Sequence, residues 1–255
     1  PRVILFSSVT TSLRTRCVIG LLCNFVTIAV GYGINIRKPK ETRAFAMLNM
    51  SGYNIGNFTM PFVQSFLSPV GFAATSLFDA GNSIMCTGMT FTLAGMVVGE
   101  DEKPSLLGMT KKLFSSIPFD AYIVMTILSI LKLQLPAVMI SFADTAGGAN
   151  AFLALLMLGI GFEIHMDREK IAQIVQILVM RYGIAVLMAV GFYFFAPFGL
   201  EVRQTLAIVS LGPVASIAPA FTGALNGDVE MASAVNSLSI IISIAAITAA
   251  LIILL

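Results

Sequence analysis

Tryptophan is absent from this chain, histidine occurs once, and charged residues make up only 11% of its 255 positions. Each shortage excludes something. A soluble domain carries about 25% charge because its outside must be solvated, and this chain has too little to build such a surface. Without tryptophan, any aromatic belt at a membrane interface falls to phenylalanine and tyrosine. The single histidine, His165, lies in a short polar loop and reads as a solvated residue. Cys17, Cys23 and Cys86 lie inside apolar runs with neither paired nor metal-ligand spacing, so they read as core residues. No glycine–lysine phosphate loop is present, which excludes an ATP-driven motor within this sequence. No His/Cys/Asp cluster has metal spacing, and no cofactor is expected. A net charge of +2 is too small for a nucleic-acid surface.

What the chain has is apolar length. Hydrophobic residues make up 57% of it, and the mean hydropathy is +0.93. A membrane-spanning helix needs about 20 mostly apolar residues. Such runs occupy 17–36, 44–67, 70–98, 113–133, 136–162, 171–195, 200–225 and 229–255. A shorter run, 3–13, reads as the tail of an interrupted helix. The expected class is an all-α integral protein that crosses the cell membrane many times. Pro1 falls within an apolar stretch, so one or two leading helices are expected to precede this sequence.

Lysine and arginine set the expected orientation. Arg37, Lys38, Lys40 and Arg43, then Lys103, Lys111 and Lys112, then Arg168 and Lys170 fall in alternate loops. Arg14, Arg16, Lys132 and Arg203 fall on the other side. The larger group is placed in the cytoplasm and the C-terminus outside. Residues 1–98 then form one half, 99–112 a cytoplasmic linker, and 113–255 the other half.

The halves carry a repeat. Ala80-Gly81-Asn82-Ser83-Ile84 matches Ala234-Val235-Asn236-Ser237-Leu238. Each follows a run broken by glycine and proline, from Asn54 to Pro61 in the 44–67 span, which is broken at Gly52, Gly56 and Pro61, and from Gly212 to Pro219 in the other half. On the expected topology the two broken runs point in opposite directions. That is the pattern of an inverted repeat with discontinuous helices and a site near the membrane midplane. A proline opens a helix. Freed backbone groups must be buried or face a cavity, and half-helix N-termini that meet there suit an anion. The candidate binding residues are Asn54, Gly56, Asn57 and Pro61, then Pro213, Ser216 and Pro219, with Asn82 and Asn236 of the repeat. The alternative is a pair of proline kinks absorbed by packing.

Ionisable residues within spans are costly in lipid and mark function. Asp79 and Asp144 lie deepest; Asp120 is nearer the start of its span. Asp79 and Asn82 share a helix face, so Asp79, with Asp144, is a candidate for coupling to a proton or a sodium ion. The other reading puts Asp79 near the outer boundary, hydrogen-bonded to a neighbouring helix. Arg181 is expected to snorkel or to pair with an acid, and Asp228 to cap a helix. No paired acids or nucleophile–base set is visible, so an enzyme is not expected.

Taken together, the Asn54-to-Pro61 break, Phe78-Asp79-Ala80-Gly81-Asn82, Leu155-Leu156-Met157-Leu158-Gly159-Ile160-Gly161, the Pro213-to-Asp228 stretch and Ala232-Ser233-Ala234-Val235 resemble the auxin efflux carrier family, which includes bacterial permeases. The resemblance implies ten helices in two inverted five-helix repeats, with the first helix and part of the second absent here. It also implies two broken helices that cross at prolines beside the substrate carboxylate. Asn54 and Pro61 match the first crossing, and Pro219 with Pro213 the second. The short 99–112 loop fits the bacterial type, whose members are linked to malate or malonate. The expected function is secondary active transport of a small organic anion such as malate, by alternating access. Two rivals stand beside it: a sodium-coupled transporter of the bile-acid-symporter type, and a membrane receptor that binds its ligand without moving it. The expected partners are the anion and membrane lipid, not nucleic acid; a homodimer is compatible with the pattern.

Overall fold

Residues 2–99, 135–160 and 170–255, with a few positions between 124 and 133, are described by the computed structural model. The expectations placed on the 100–112 loop, most of the 113–133 span, Asp120 and His165 lie outside the described residues.

The first helix, α1 (Arg2–Ile34), runs unbroken. This corrects the reading of 3–13 as a separate tail. No glycine or proline falls between Arg2 and Cys17, so nothing there interrupts the hydrogen-bond ladder. Next come α2 (Lys40–Met50), a π-helical turn (Ile55–Thr59) and α3 (Met60–Phe66). After Ser68, α4 (Pro69–Ile84) passes through a second π-helical turn (Met85–Met89) into α5 (Thr90–Val98). The remaining helices are α6 (Ala137–Ile160), α7 (Ile171–Phe195), α8 (Leu200–Ser210), α9 (Ala218–Ala224) and α10 (Val229–Leu254). Two starts follow ordinary capping chemistry. Ser68 accepts from Gly71 N–H ahead of Pro69. Asp228 accepts from Met231 N–H at 2.9 Å, as expected of a cap, and pairs with Lys170 at 2.6 Å.

Four stretches are long and apolar enough to cross a bilayer: Cys17–Ile34 of α1, Pro69–Val98, Ile171–Phe195 and Val229–Leu254. Their outward faces are oily. Leu22 and Val26 of α1, Val179, Leu187 and Phe194 of α7, and Ile241, Ile244 and Ile252 of α10 are exposed. The interior, though mainly apolar, also holds polar side chains: Asn24, Asn49, Asn54, Asn82 and Arg181 are buried. An oily outer face around buried polar groups suits a hydrocarbon surround. The protein is an all-helical membrane protein.

The helices pack closely where small residues permit. A Cβ at Gly20 of α1 falls 2.1 Å from the Phe78 carbonyl oxygen, and one at Gly81 of α4 falls 1.9 Å from that of Cys17. The α1 and α4 backbones therefore touch. Polar contacts tie the bundle at its two ends. At one end Lys38 donates to Gln176 at 3.0 Å and Lys170 pairs with Asp228. At the other, Ser68 donates to Glu201 at 3.3 Å, and Gln204 donates to the Leu254 carbonyl.

Candidate functional site

The site is built where two helices stop inside the bundle. α2 ends because Ser51 is extended and Gly52 takes a left-handed φ of 74°. Only glycine adopts that conformation without strain. A Cβ at Gly52 also falls 2.8 Å from Cβ of Ala215. Gly52→Ala is therefore expected to destabilise the protein by about 2 kcal/mol, from the backbone conformation and the clash together. A thermal midpoint unchanged in Gly52→Ala contradicts this.

The second stop lies between Ser210 of α8 and Ala218 of α9. The two interruptions lie against each other. Tyr53 and Val214 form an antiparallel β-bridge. Asn54 N–H donates to the Pro213 carbonyl at 3.0 Å, and the Asn54 side-chain amide donates to Ser216 Oγ at 2.7 Å. Prolines do less than the sequence suggests. Pro219 sits in the first turn of α9, a position that needs no N–H donor, and Pro61 follows directly on the π-helical turn. The first helix opens at 51–54, so of the breaks expected at Gly52, Gly56 and Pro61 the one at Gly52 holds and the one at Pro61 is corrected. The wide π-turn before Pro61, where Thr59 N–H reaches the Asn54 carbonyl at 3.1 Å, relieves the crowding its ring causes in a regular helix.

Every opened backbone group in a membrane interior needs a partner, and most find one on a side chain here. Gly52 N–H donates to Asn24 Oδ1 at 2.6 Å. Tyr53 is held on both edges by Asn82: its N–H donates to Oδ1 at 3.0 Å, and its carbonyl accepts from Nδ2 at 2.8 Å. In the second interruption, Val214 N–H donates to Ser239 Oγ at 3.1 Å. Asn236 donates to the Val214 and Ala215 carbonyls at 3.1 and 3.3 Å. Ser243, hydrogen-bonded to Tyr182, donates to the Leu211 carbonyl at 2.7 Å.

Arg181 of α7 closes the account. Its guanidinium donates to the Met50 carbonyl, to Gly52 at 2.9 Å, to Gly212 at 3.2 Å and to Pro213 at 3.1 Å. It also lies 5.0 Å from the Tyr53 ring centroid. It is 2% exposed, so it does not snorkel, and its guanidinium donates to backbone carbonyls. This corrects the expectation for Arg181. The physical reason is that α2 and α8 both end here. Each C-terminus carries about half a negative charge, and one guanidinium balances both.

On one side of this knot lies a cavity of about 420 Å³. Asn54, Gly56 and Asn57 line it from the first interruption, and Ser216 and Ile217 from the second. Asp79, Asn82 and Ser83 of α4, with Cys86 and Thr87 of the π-helical turn that follows it, form the facing wall. Asp79 accepts from Asn82 Nδ2 at 3.0 Å, the helix-face pairing expected. A Cβ at Gly56 meets nothing within 4 Å, so the cavity reaches the helix backbone there. The structure thus gathers Asn54, Gly56, Asn57, Ser216, Asn82 and Asp79 at one cavity. Pro213 and Asn236 brace the interruption, while Pro61 and Pro219 start the second half-helices. Asp144 is exposed on α6, outside the residues that line the cavity. Sequence reasoning missed Asn24, Ser239 and Cys86. Asn24 carried a usable signal, an amide within an otherwise apolar span.

Compared with known proteins, the chain matches no family model and no curated sequence.

Proposed function

We propose that this protein is a secondary active transporter of a small organic anion, with the cavity at the paired interruptions as its binding site. The observation that carries this reading is the meeting of two interrupted helices at a polar cavity inside a membrane bundle. Ile55–Thr59 and Ala218–Ala224 both begin beside that cavity. Their first amide groups have no partner within the helix and favour negative charge. Their C-terminal counterparts lie behind, neutralised by Arg181. Backbone amides and the side chains of Asn54, Asn57 and Ser216 at the cavity suit a carboxylate such as malate.

The inverted repeat belongs to the same proposal. Asn82 holds Tyr53 in one half and Asn236 holds Val214 in the other, and Tyr53 pairs with Val214 antiparallel. Matching amides on matching helices, related by a reversed direction, favour the ten-helix plan of the auxin efflux carriers, in its bacterial permease form. Lys38, Lys40 and Lys170 then face the cytoplasm of a cell membrane, and the C-terminus lies outside. Alternating access keeps the two interruptions paired, since separating them strips the Arg181 bonds.

The test is uptake of radiolabelled malate into proteoliposomes under imposed proton or sodium gradients. Asn54→Ala removes the amide that joins the interruptions across the cavity rim. It is expected to lower uptake by about tenfold or more, the weight of a hydrogen bond at a desolvated site. Failure of a panel of carboxylates to move, in vesicles shown to hold folded protein, rejects transport. Binding without flux assigns the protein to the receptors instead.

A further inference from the structure

We infer that the turn joining α1 to α2 holds an anionic phospholipid, with its phosphate headgroup against Arg37, Lys38 and Arg43 and an acyl chain along the outer face of α1. The inference concerns the membrane-facing surface and does not depend on what the cavity binds.

The turn holds its cations at the edge of the bilayer. The apolar span of α1 ends at Ile34, so the residues that follow lie where hydrocarbon gives way to headgroups. Asn35 is buried and donates to the Gly31 carbonyl at 2.9 Å. Its own carbonyl accepts from Lys38 N–H at 2.8 Å, and Arg43 N–H donates to the Pro39 carbonyl at 3.2 Å. The backbone is thereby fixed from α1 into α2. Arg37, Lys38, Lys40 and Arg43 stand on it, against Glu41 as the one acid. Among the described residues no carboxylate pairs with any of these four cations. Lys38 donates to the Gln176 side-chain amide at 3.0 Å. Arg43 donates to Tyr32 Oη at 3.2 Å and lies 5.4 Å from the centre of its ring. Both partners are neutral, so the charges stay unbalanced.

Charge alone suits any anion; the surface below the turn selects a lipid. Val18, Leu22, Val26, Ala29 and Gly33 are exposed at helical spacing, so they form one stripe along α1 that leads to the turn. Large side chains give way to Ala29 and Gly33 at its end, and a Cβ at Gly33 meets nothing within 4 Å. A shallow groove therefore lies directly below the cations. Val30 packs into the cluster that holds Ile174 and Ile177 of α7, and Tyr32 into the one that holds Met47 of α2. Ala29 and Gly33 lie on the outer arc between these two contacts. Lys38, reaching to α7, and Arg43, resting on Tyr32, thus flank the groove, with Arg37 exposed in the turn itself. Lys40 lies toward Gly99 at the end of α5 instead. An acidic protein segment cannot follow such a groove into hydrocarbon without leaving its backbone groups unpaired. An acyl chain carries no such groups.

The test is native mass spectrometry of the full chain, released at low salt from mixed micelles that hold equal amounts of phosphatidylglycerol and phosphatidylcholine with the same chains. Each Lys or Arg beside an anionic headgroup contributes about fivefold in affinity. Wild-type protein is expected to retain phosphatidylglycerol about 100-fold over phosphatidylcholine, and Arg37→Gln/Lys38→Gln only about fivefold. Gly33→Leu keeps every cation but fills the groove, and is expected to lower phosphatidylglycerol retention by about threefold or more through lost chain packing. Glycerol phosphate, a headgroup without chains, is expected not to displace the lipid even in large excess. Equal retention of the two lipids by the wild type, a reading that needs no variant to fold, overturns the inference. So does a preference that Arg37→Gln/Lys38→Gln leaves intact. Displacement by glycerol phosphate, or retention unchanged in Gly33→Leu, reassigns the turn to a soluble anion and overturns the lipid.

Discussion

Replacing Arg181 with methionine is expected to lower the stability of the protein by about 4 kcal/mol, within the range for breaking a buried charge network by removing one partner. The loss has three sources. Carbonyls of Met50, Gly52, Gly212 and Pro213 lose a charged donor, and hydrogen bonds to charged groups are the stronger kind. They lose it where no water is at hand, so their desolvation goes uncompensated. The C-terminal ends of α2 and α8 are then left facing each other with like partial charge. Methionine restores volume and some contact with Tyr53 but no donors. In a thermal-shift measurement the change corresponds to a drop of roughly 10 °C for a chain of this size. Arg181→Lys separates charge from geometry. A single ammonium keeps the charge but cannot fork across four carbonyls on two segments, so about half of the loss is expected to remain. A midpoint for Arg181→Met within about 2 °C of wild type contradicts the account of Arg181 as the common clamp.

Some of this was legible in the sequence and some was not, for physical reasons. The spans at 171–195 and 229–255 were plain because hydropathy is a sum over neighbours, and it needs no knowledge of the fold. The Asp79–Asn82 pair was equally plain, since helix geometry brings i and i+3 together. The place where α2 stops was legible only in part: Gly52 was among the expected breaks, beside Gly56 and Pro61, but nothing local ranked it above the proline. The actual stop depends on Gly52 and on Ala215 packing against it from the other interruption, and nothing local announces that partner. Arg181 was recognisable as a buried charge, but its partners are backbone carbonyls 129 and 31 residues away. Side chains can be read from a sequence, whereas freed carbonyls cannot be seen until the helices that expose them are placed. Asn24 failed in the same way, because its partners Gly52 and Asn82 lie 28 and 58 residues on.

The repeat itself supplies the second large expected effect. Asn82 and Asn236 occupy equivalent places in the two matching five-residue stretches, yet their surroundings differ. Asn82 is 2% exposed and bonds to both edges of Tyr53, to Asn24 and to Asp79. Asn236 is half-buried and spends its donors on the Val214 and Ala215 carbonyls. Tyr53 N–H depends on Asn82, whereas Val214 N–H goes to Ser239. Asn82→Ala is therefore expected to cost about 3 kcal/mol, leaving a peptide N–H unpaired and Asp79 without its amide, and Asn236→Ala about 1 kcal/mol. The prediction is of an ordering, measured by thermal midpoints of the two variants under one set of conditions, with Asn82→Ala the lower. Equal losses contradict the asymmetry and imply that each amide does no more than cap a carbonyl. The ordering bears on function because the Asn82 side is the one that meets the cavity. There the amide that replaces a lost helical hydrogen bond also donates to the Asp79 carboxyl, while its counterpart at Asn236 only braces the wall behind.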